Sequence, residues 1–257
     1  MPHNIEYTIL GCGSSGGVPR TDGYWGDCNP DNPKNNRTRC SLFVRMNDAV
    51  NIIIDTSPDM RFHTLRENIK HIDAVFFTHD HADQTHGIDD IRAFTFIRQD
   101  TIPCYADKYT ADILQKRFDY IFHSAPNSGY PAIMSMNIIE DSFEYHGMMI
   151  ETFACPHGQI TAKGFIIQDV AYSPDVHHLS DETLNSLKNK DLKYWVVDCL
   201  RYTPHPTHAH LERVLEWNNI VKPKTMILTN LHFDLDYDVL LKQLPENIIP
   251  AYDGMKF

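Results

Sequence analysis

The most informative stretch of this sequence is Ala74-Val-Phe-Phe-Thr78-His79-Asp-His81-Ala-Asp83-Gln-Thr-His-Gly87. Its apolar beginning predicts a buried strand that ends at Thr78. The residues after the strand supply two imidazoles, at His79 and His81, and a carboxylate at Asp83. In a tight loop, imidazoles at positions i and i+2 can converge on one metal ion while a carboxylate at i+4 reaches across it. The stretch therefore predicts a metal-binding loop at the end of a strand.

Short apolar runs bounded by Gly, Asn, Asp and Pro predict strands on both sides of this loop. In the first half of the chain they cover residues 7–10, 41–44, 50–54 and 74–77, and helical patterns follow at 88–95 and 111–122. In the second half, predicted strands at 148–153, 164–167, 170–172, 194–197 and 225–228 alternate with helices near 180–188, 208–218 and 236–244. Two strand-rich halves, each covered by helices, predict an α/β fold of the four-layer αββα sandwich type. Because no repeat or linker interrupts the chain, we expect one domain over residues 1–257.

The composition is that of a globular protein, since 42% of the 257 residues are hydrophobic and 22% are charged. A disordered or fibrous chain is thereby excluded. No apolar run reaches the roughly 18 residues of a membrane helix, and the start Met1-Pro2-His3-Asn4 lacks a basic segment leading into an apolar one. We therefore expect a cytoplasmic protein with no membrane partner. The net charge of -11 repels a phosphate polymer, so a long nucleic acid is not an expected partner.

The sequence contains six cysteines and fifteen histidines. The cysteines form no Cys-x-x-Cys pair, and a chain of this size needs no covalent staples, so we predict free thiols. A single histidine says little, because most histidines lie at the surface or in hydrogen bonds without a metal. Only the spacing of the histidines therefore identifies candidate ligands.

The residues from His79 to Gln84 resemble the His-x-His-x-Asp-His signature of the metallo-β-lactamase superfamily. The resemblance implies an aspartate at the end of an earlier apolar strand, and Asn51-Ile-Ile-Ile-Asp55 supplies it. Asp55 would orient the histidine loop without contacting the metal. A lone histidine should follow another strand and an aspartate a strand hairpin, and His157 and Asp175 match these two positions.

The resemblance implies one tightly bound metal ion, expected to be zinc, at the site formed by His79, His81, His157 and Asp175. Four further motifs narrow the resemblance to the phosphoribosyl 1,2-cyclic phosphate phosphodiesterase group over nearly the whole chain. They are Leu10-Gly-Cys-Gly-Ser-Ser-Gly-Gly17-Val-Pro19, Arg39-Cys-Ser41, Gly87-Ile-Asp-Asp and Tyr252-Asp-Gly-Met255. The group also implies a homodimer.

His208, in Pro206-Thr-His208-Ala-His210, matches the histidine that in this group contacts the substrate phosphate and protonates the leaving oxygen. Two alternatives stay open at this point. His208 could simply begin the helix that follows, and His210 is a nearby competitor for the acid role. We expect His208 to be the general acid.

Two departures from the family concern the second metal site. The last histidine of the signature is Gln84 here, and the family's late Leu-Thr-His appears as Leu228-Thr229-Asn230. The second site would retain Asp83 and Asp175, with Gln84 and Asn230 as weak ligands. Amide oxygens suit Mn²⁺ better than Zn²⁺, so this site should be empty or hold a harder ion such as manganese. His232 is an alternative replacement ligand.

A third departure lies in the N-terminal loop, where the group would hold a structural zinc through clustered cysteines. The segment Tyr24-Trp-Gly-Asp-Cys28 contains a single thiol, which cannot form a closed tetrahedral site. We therefore predict no structural zinc there. Arg37 and Arg39 nearby are expected to form a solvated basic patch, with phosphate binding as the alternative.

These residues predict a metal-dependent phosphodiesterase acting on a small cyclic or nucleotide-like phosphodiester through a metal-bound hydroxide. Asp83 would orient the nucleophile or accept its proton, and His208 would protonate the departing alkoxide. A thioester or lactone hydrolase on the same fold is one alternative. A non-catalytic protein that holds a nucleotide or phosphate beside a degraded second metal site is another. Ribonuclease Z is disfavoured, because the short stretch between His157 and Asp175 leaves no room for its inserted arm.

Overall fold

The computed structural model describes residues 4–47, 49–124 and 129–257. Residues 1–3, on which part of the cytoplasmic prediction depends, lie outside these ranges. No helix within the ranges is long and apolar enough to span a membrane. The chain forms two compact units, and both are assembled from separate parts of the sequence. The first contains Met1–Gly11, Ser41–Glu140 and Gly254–Phe257, and the second contains Cys12–Cys40 and Asp141–Asp253. The expected single domain stays a prediction.

The first unit contains a six-stranded sheet whose strands follow the order of the chain. Its antiparallel part consists of β1 (Ile5–Gly11), β2 (Ser41–Met46) and β3 (Val50–Ile54), and β4 (Ala74–Phe76), β5 (Ile102–Ala106) and β6 (Met134–Ile138) continue it in parallel. Its helices are α1 (Met60–Arg66), α2 (Ala82–Thr85), α3 (Arg92–Arg98), α4 (Lys108–Arg117) and α5 (Asp119–Phe122). Strand β4 is apolar, β3 is apolar except for Asn51, and both are almost wholly buried, as is typical of parallel strands.

The second unit contains a seven-stranded sheet in the order β13-β12-β11-β10-β9-β8-β7. Its strands are β7 (Ser142–Tyr145), β8 (Met148–His157), β9 (Ile160–Ile167), β10 (Val170–Ser173), β11 (Tyr194–Asp198), β12 (Thr225–Thr229) and β13 (Ile248–Pro250). Its helices are α6 (Asp181–Lys188), α7 (Leu211–Val221) and α8 (Tyr237–Gln243). The core includes Trp195 of β11 and Trp217 of α7, whose rings stack with centroids 6.0 Å apart.

Strand direction places the polar residues of the second unit at one edge of its sheet. Strands β10, β11 and β12 are parallel, and β8 runs in the same direction because β9 is antiparallel to both β8 and β10. The carboxyl ends of these four strands therefore meet at the same edge. His157 ends β8, Asp198 ends β11, and Asp175 and Asn230 follow β10 and β12.

The predicted α/β class, with two sheets and helices in both units, is confirmed. The structure adds α1, α2, β5, β6, β7 and β13, which the sequence patterns did not predict. Strand β5 contains Pro103, a residue that argues against a central strand. The single helix expected at 111–122 is two helices, because Phe118 has φ −124° and ψ 46° and ends the first of them.

Candidate metal and catalytic site

The segment 79–87 of the first unit, the histidine loop, is anchored at its start by Asp55. This buried carboxylate accepts hydrogen bonds from the N–H and the hydroxyl of Thr78, both at 2.8 Å. Because the hydroxyl donates its hydrogen to Asp55, its oxygen accepts from Nδ1 of His79 at 2.9 Å. This bond places the proton of His79 on Nδ1 and leaves the lone pair of Nε2 for a metal. Burial raises the pKa of Asp55, and the two bonds from Thr78 oppose the rise.

The rest of the loop forms the first turn of α2. His81 is the exposed residue that precedes the helix, and its ring centroid lies 4.6 Å from that of His79. Asp83 is half-buried in the first turn, whereas Gln84 is buried. Gly87 ends the segment where a Cβ would lie 2.0 Å from the carbonyl oxygen of Ser57. Only glycine allows this close approach, so the position of the loop depends on it.

Arg117 is a contact of this loop that the sequence did not reveal. Its guanidinium, on α4, donates to the carbonyl oxygen of Asp80 and to the Asp80 carboxylate, the second bond measuring 3.1 Å. Asp80 lies between the two histidines of the loop. The bonds therefore tie the loop to a helix and restrict its backbone.

The second unit brings together His157, Asp175 and His208, whose nearest ligand atoms all lie within 4.8 Å of one another. Nδ1 of His157 lies 2.8 Å from the carbonyl oxygen of Thr207. A carbonyl oxygen can only accept, so His157 carries its proton on Nδ1 and presents the lone pair of Nε2. This is the state of a neutral imidazole ligand, and the buried Asp175 carboxylate beside it is a second donor of a type that zinc accepts.

Asp198 is the main site residue that the sequence analysis missed. Its fully buried carboxylate lies 2.8 Å from Nδ1 of His208 and also accepts the N–H of Val176 at 3.0 Å. Burial raises the pKa of Asp198, whereas His208 and the hydrogen bonds oppose the rise. The pair orients the ring of His208 and directs its Nε2 away from Asp198. The run Tyr194-Trp-Val-Val-Asp198 repeats the apolar pattern that precedes Asp55, so a signal was present in the sequence.

Asn230 occupies the place of the family's second-site histidine. Its amide nitrogen lies 3.4 Å from a carboxylate oxygen of Asp175 and 3.2 Å from one of Asp198. The opposite orientation would turn the amide oxygen toward two carboxylates, so electrostatics favours this one. The side chain thus presents donors to the carboxylates. The two carboxylates are bridged by an amide, which weakens the case for Asn230 as a metal ligand.

Two other candidate residues of the second unit have different partners. Nδ1 of His232 lies 3.1 Å from the carboxylate of Asp234. His210 is the buried residue that precedes α7 and, unlike His208, is absent from the metal-ligand clusters found among the described residues. All six cysteines are buried free thiols, as predicted.

The expectation of a solvated patch at Arg37 is wrong. Arg37 is 1% exposed. Its guanidinium donates to the carbonyl oxygens of Leu235 at 2.7 Å and His232 at 3.2 Å, and to the side-chain oxygen of Asn35 at 3.1 Å. The sulfur of Cys28 lies 3.8 Å from it. A buried cation therefore joins the N-terminal loop to residues 232–235.

Gln84 and Asn230 stand where the family has two histidines of the second metal site, and this difference predicts the metal content of the protein. We expect the purified, dialysed protein to retain close to one zinc ion per chain by elemental analysis, because an amide binds zinc far more weakly than an imidazole. The double variant Gln84→His with Asn230→His should gain a second ion, and Mn²⁺ should stimulate the unmodified protein if a second ion is needed. Two tightly held zinc ions in the unmodified protein would contradict this and indicate a further ligand.

Comparisons with known proteins agree with this geometry. The model of the β-lactamase superfamily domain matches residues 50–233. A crystal structure described as a new diphosphatase from the PhnP family is 32% identical, with a TM-score of 0.89, and the match covers 100% of this chain and 97% of that one. Zinc-bound PqqB from Methylobacterium extorquens has a TM-score of 0.75 at 15% identity, covering 98% of this chain and 99% of that one, which shows the fold alone.

A curated relative adds a different name. An octanoyltransferase of Porphyromonas gingivalis is 29% identical over 251 residues, covering 96% of this chain and 50% of the relative. The chain thus spans about half the length of that relative. The family match and the solved structures confirm the predicted metallo-β-lactamase fold. With the histidine loop on β4 and the histidine and carboxylate cluster at the ends of β8, β10 and β11, the chain belongs to the metallo-β-lactamase superfamily.

Proposed function

We propose that the protein is a metal-dependent hydrolase of a small phosphodiester. The observation that carries the proposal is the cluster of His157, Asp175 and His208, in which Asp198 orients a histidine beside candidate metal ligands. The 32% sequence identity to a PhnP-family diphosphatase, in a match that covers the whole of this chain, supports a reaction at a phosphoryl group. Small substrates fit the net charge, which disfavours a long nucleic acid.

The metal in this proposal is bound by His79, His81, His157 and Asp175, as the family resemblance implies. The hydrogen bonds of Thr78 and Thr207 support it, because both leave an Nε2 lone pair on a neutral imidazole. Zinc, when bound, supplies a Lewis acid that polarises the phosphoryl group and makes water a nucleophile at neutral pH. Mn²⁺ is the candidate for a weak second site that includes Asp83.

The protein's own residues carry the remaining steps. Asp83 accepts the proton of the attacking water or orients it. His208, as an imidazolium stabilised by the Asp198 carboxylate at Nδ1, donates the proton on Nε2 to the leaving oxygen. Because the hydrogen bond from Nδ1 to Asp198 fixes the orientation of the ring, the N–H at Nε2 points in one direction. The proposal therefore assigns the chemistry of the leaving group to His208.

The test is hydrolysis of bis(p-nitrophenyl) phosphate by zinc-loaded protein. We expect turnover in the unmodified protein and its loss in His79→Ala, because the variant lacks a metal ligand. His146→Asn, at the turn between β7 and β8 and at the opposite end of β8 from His157, is the matched control and should keep full activity. An octanoyl thioester is the contrasting substrate. Hydrolysis of the thioester without any turnover of the phosphodiester would favour the thioester hydrolase alternative, and turnover of neither would favour the binding protein.

A further inference from the structure

His81 is an exposed candidate metal ligand, whereas His79 is buried. Packing against neighbouring side chains therefore fixes His81 less than it fixes His79. The backbone of His81 is extended, with φ −64° and ψ 153°, just before α2. Its carbonyl oxygen accepts from the hydroxyl of Thr85 at 2.8 Å, which holds the peptide group on the helix side. The position of His81 thus depends on what holds the peptide group on its other side.

The peptide group that joins Asp80 to His81 is held by Arg117. Nη1 of the guanidinium donates to the carbonyl oxygen of Asp80, and Nη2 donates to the Asp80 carboxylate at 3.1 Å. The carbonyl oxygen of Asp80 and the N–H of His81 belong to one planar group, so this contact sets the direction in which the backbone enters His81. Because the guanidinium is planar and its donors have a fixed geometry, the two bonds together restrict Asp80 more than a single bond would.

Arg117 is on a helix that is packed in the core of the first unit. Ala111 and Leu114 of α4 are 1% and 0% exposed, and both belong to that core. Asp107 caps the start of the helix by accepting from the N–H of Thr110 at 2.9 Å. A segment with buried apolar contacts and a capped end has little local freedom. Arg117 therefore holds Asp80 from a helix that is itself fixed.

The charge of Arg117 and its hydrogen bonds would affect a metal ion in opposite ways. A cation near the loop repels a divalent metal ion, so loss of the charge alone would strengthen zinc binding. Loss of the hydrogen bonds would release the peptide group before His81 and weaken zinc binding. The change in zinc affinity when Arg117 is replaced therefore distinguishes an electrostatic role from a positioning role.

We propose that Arg117 is a positioning residue, which acts through Asp80 to hold His81 in the geometry that a metal ion needs. This proposal rests on the metal site of the proposed function. It requires that the affinity for zinc, and not only the stability of the fold, depends on Arg117. Removing the partner of a metal ligand costs about 10- to 100-fold in metal affinity.

The measurement is the dissociation constant for zinc, obtained by competition with a chromophoric chelator. We expect Arg117→Met to weaken zinc binding about 10- to 100-fold. Arg117→Lys, which keeps the charge but not the planar pair of donors, should recover part of the affinity. Lys116→Met removes the same charge at the neighbouring, exposed position of α4 and should change the affinity less than about twofold. Urea unfolding of the metal-free proteins reports whether each variant folds.

A double variant removes the ion pair without changing the net charge. If Arg117 acts through Asp80, then Asp80→Asn with Arg117→Met should bind zinc about as weakly as Arg117→Met. Cobalt gives a spectroscopic measurement of the same site. The visible absorption bands of the Co²⁺-loaded protein should change in Arg117→Met and not in Lys116→Met, because these bands depend on the geometry of the ligands.

Unchanged zinc affinity in Arg117→Met would overturn the proposal, and tighter binding would show that the charge of Arg117 dominates. An equal loss in Lys116→Met would also overturn it, because the loss would then not depend on the bonds to Asp80. If Arg117→Met does not fold, Arg117→Gln takes its place under the same criteria. A protein that loses zinc affinity as expected in the variants, but hydrolyses no phosphodiester, would keep the role of Arg117 and reject the proposed function.

Discussion

Replacing Asp198 by asparagine should lower the turnover of methyl phosphodiesters by about 10²- to 10⁴-fold, the usual contribution of a general acid. The carboxylate at 2.8 Å from Nδ1 stabilises the imidazolium form of His208, and an amide cannot do so. Steady-state turnover of a methyl ester and of a nitrophenyl ester measures the effect. The nitrophenyl ester should lose far less, because a nitrophenolate hardly needs a proton to leave.

His208→Ala is the matched variant for this experiment. If Asp198 acts through His208, the two single variants should show similar losses on methyl esters, and the double variant should lose little more. Zinc content should stay the same in all three. Equal losses on methyl and nitrophenyl esters would reject the acid role and leave His208 as a group that binds phosphate. Loss of zinc in His208→Ala would instead make His208 a metal ligand.

Replacing Arg37 by methionine should reduce the free energy of unfolding by about 3 to 5 kcal/mol. Methionine fills similar space but leaves the carbonyl oxygens of His232 and Leu235 and the side chain of Asn35 without their donor in a buried place. Urea unfolding of the variant and of the unmodified protein measures the difference. The free energy of unfolding should depend on urea concentration with the same slope in both proteins.

Arg20→Met is the control, because it also removes one positive charge from the N-terminal loop. Arg20 lies in the same N-terminal loop, but its ion pair with Asp22 is exposed, so its loss should change stability little. If Arg37→Met proved as mild as Arg20→Met, Arg37 would not be the group that joins the loop to residues 232–235. Because we predict no structural zinc in the N-terminal loop, the zinc content of Arg37→Met should match that of the unmodified protein.

Local sequence was enough to predict the histidine loop. His79, His81 and Asp83 lie within five residues, and the buried strand before them is an unbroken apolar run. The family resemblance assigned Asp55, and the apolar strand that ends in this carboxylate is visible in one window of sequence. Most of the central strands were predicted for the same reason: short-range patterns of side-chain burial set them, and the patterns are strong where both faces of a strand are buried.

Contacts between residues that are distant in the sequence determined the environment of Arg37 and the orientation of the site histidines. Arg37 and Leu235 are separated by 198 residues in the chain, and nothing near Arg37 in the sequence shows that a buried carbonyl oxygen will need its guanidinium. The orientation of His208 by Asp198 and the position of the proton on His157 depend on single hydrogen bonds. Such bonds form only after strand order brings the carboxyl ends of β8, β10, β11 and β12 to one edge of the sheet. Sequence spacing and the family resemblance therefore identified the candidate metal ligands, whereas tertiary hydrogen bonds determined which ring nitrogen of His79 and of His157 carries the lone pair.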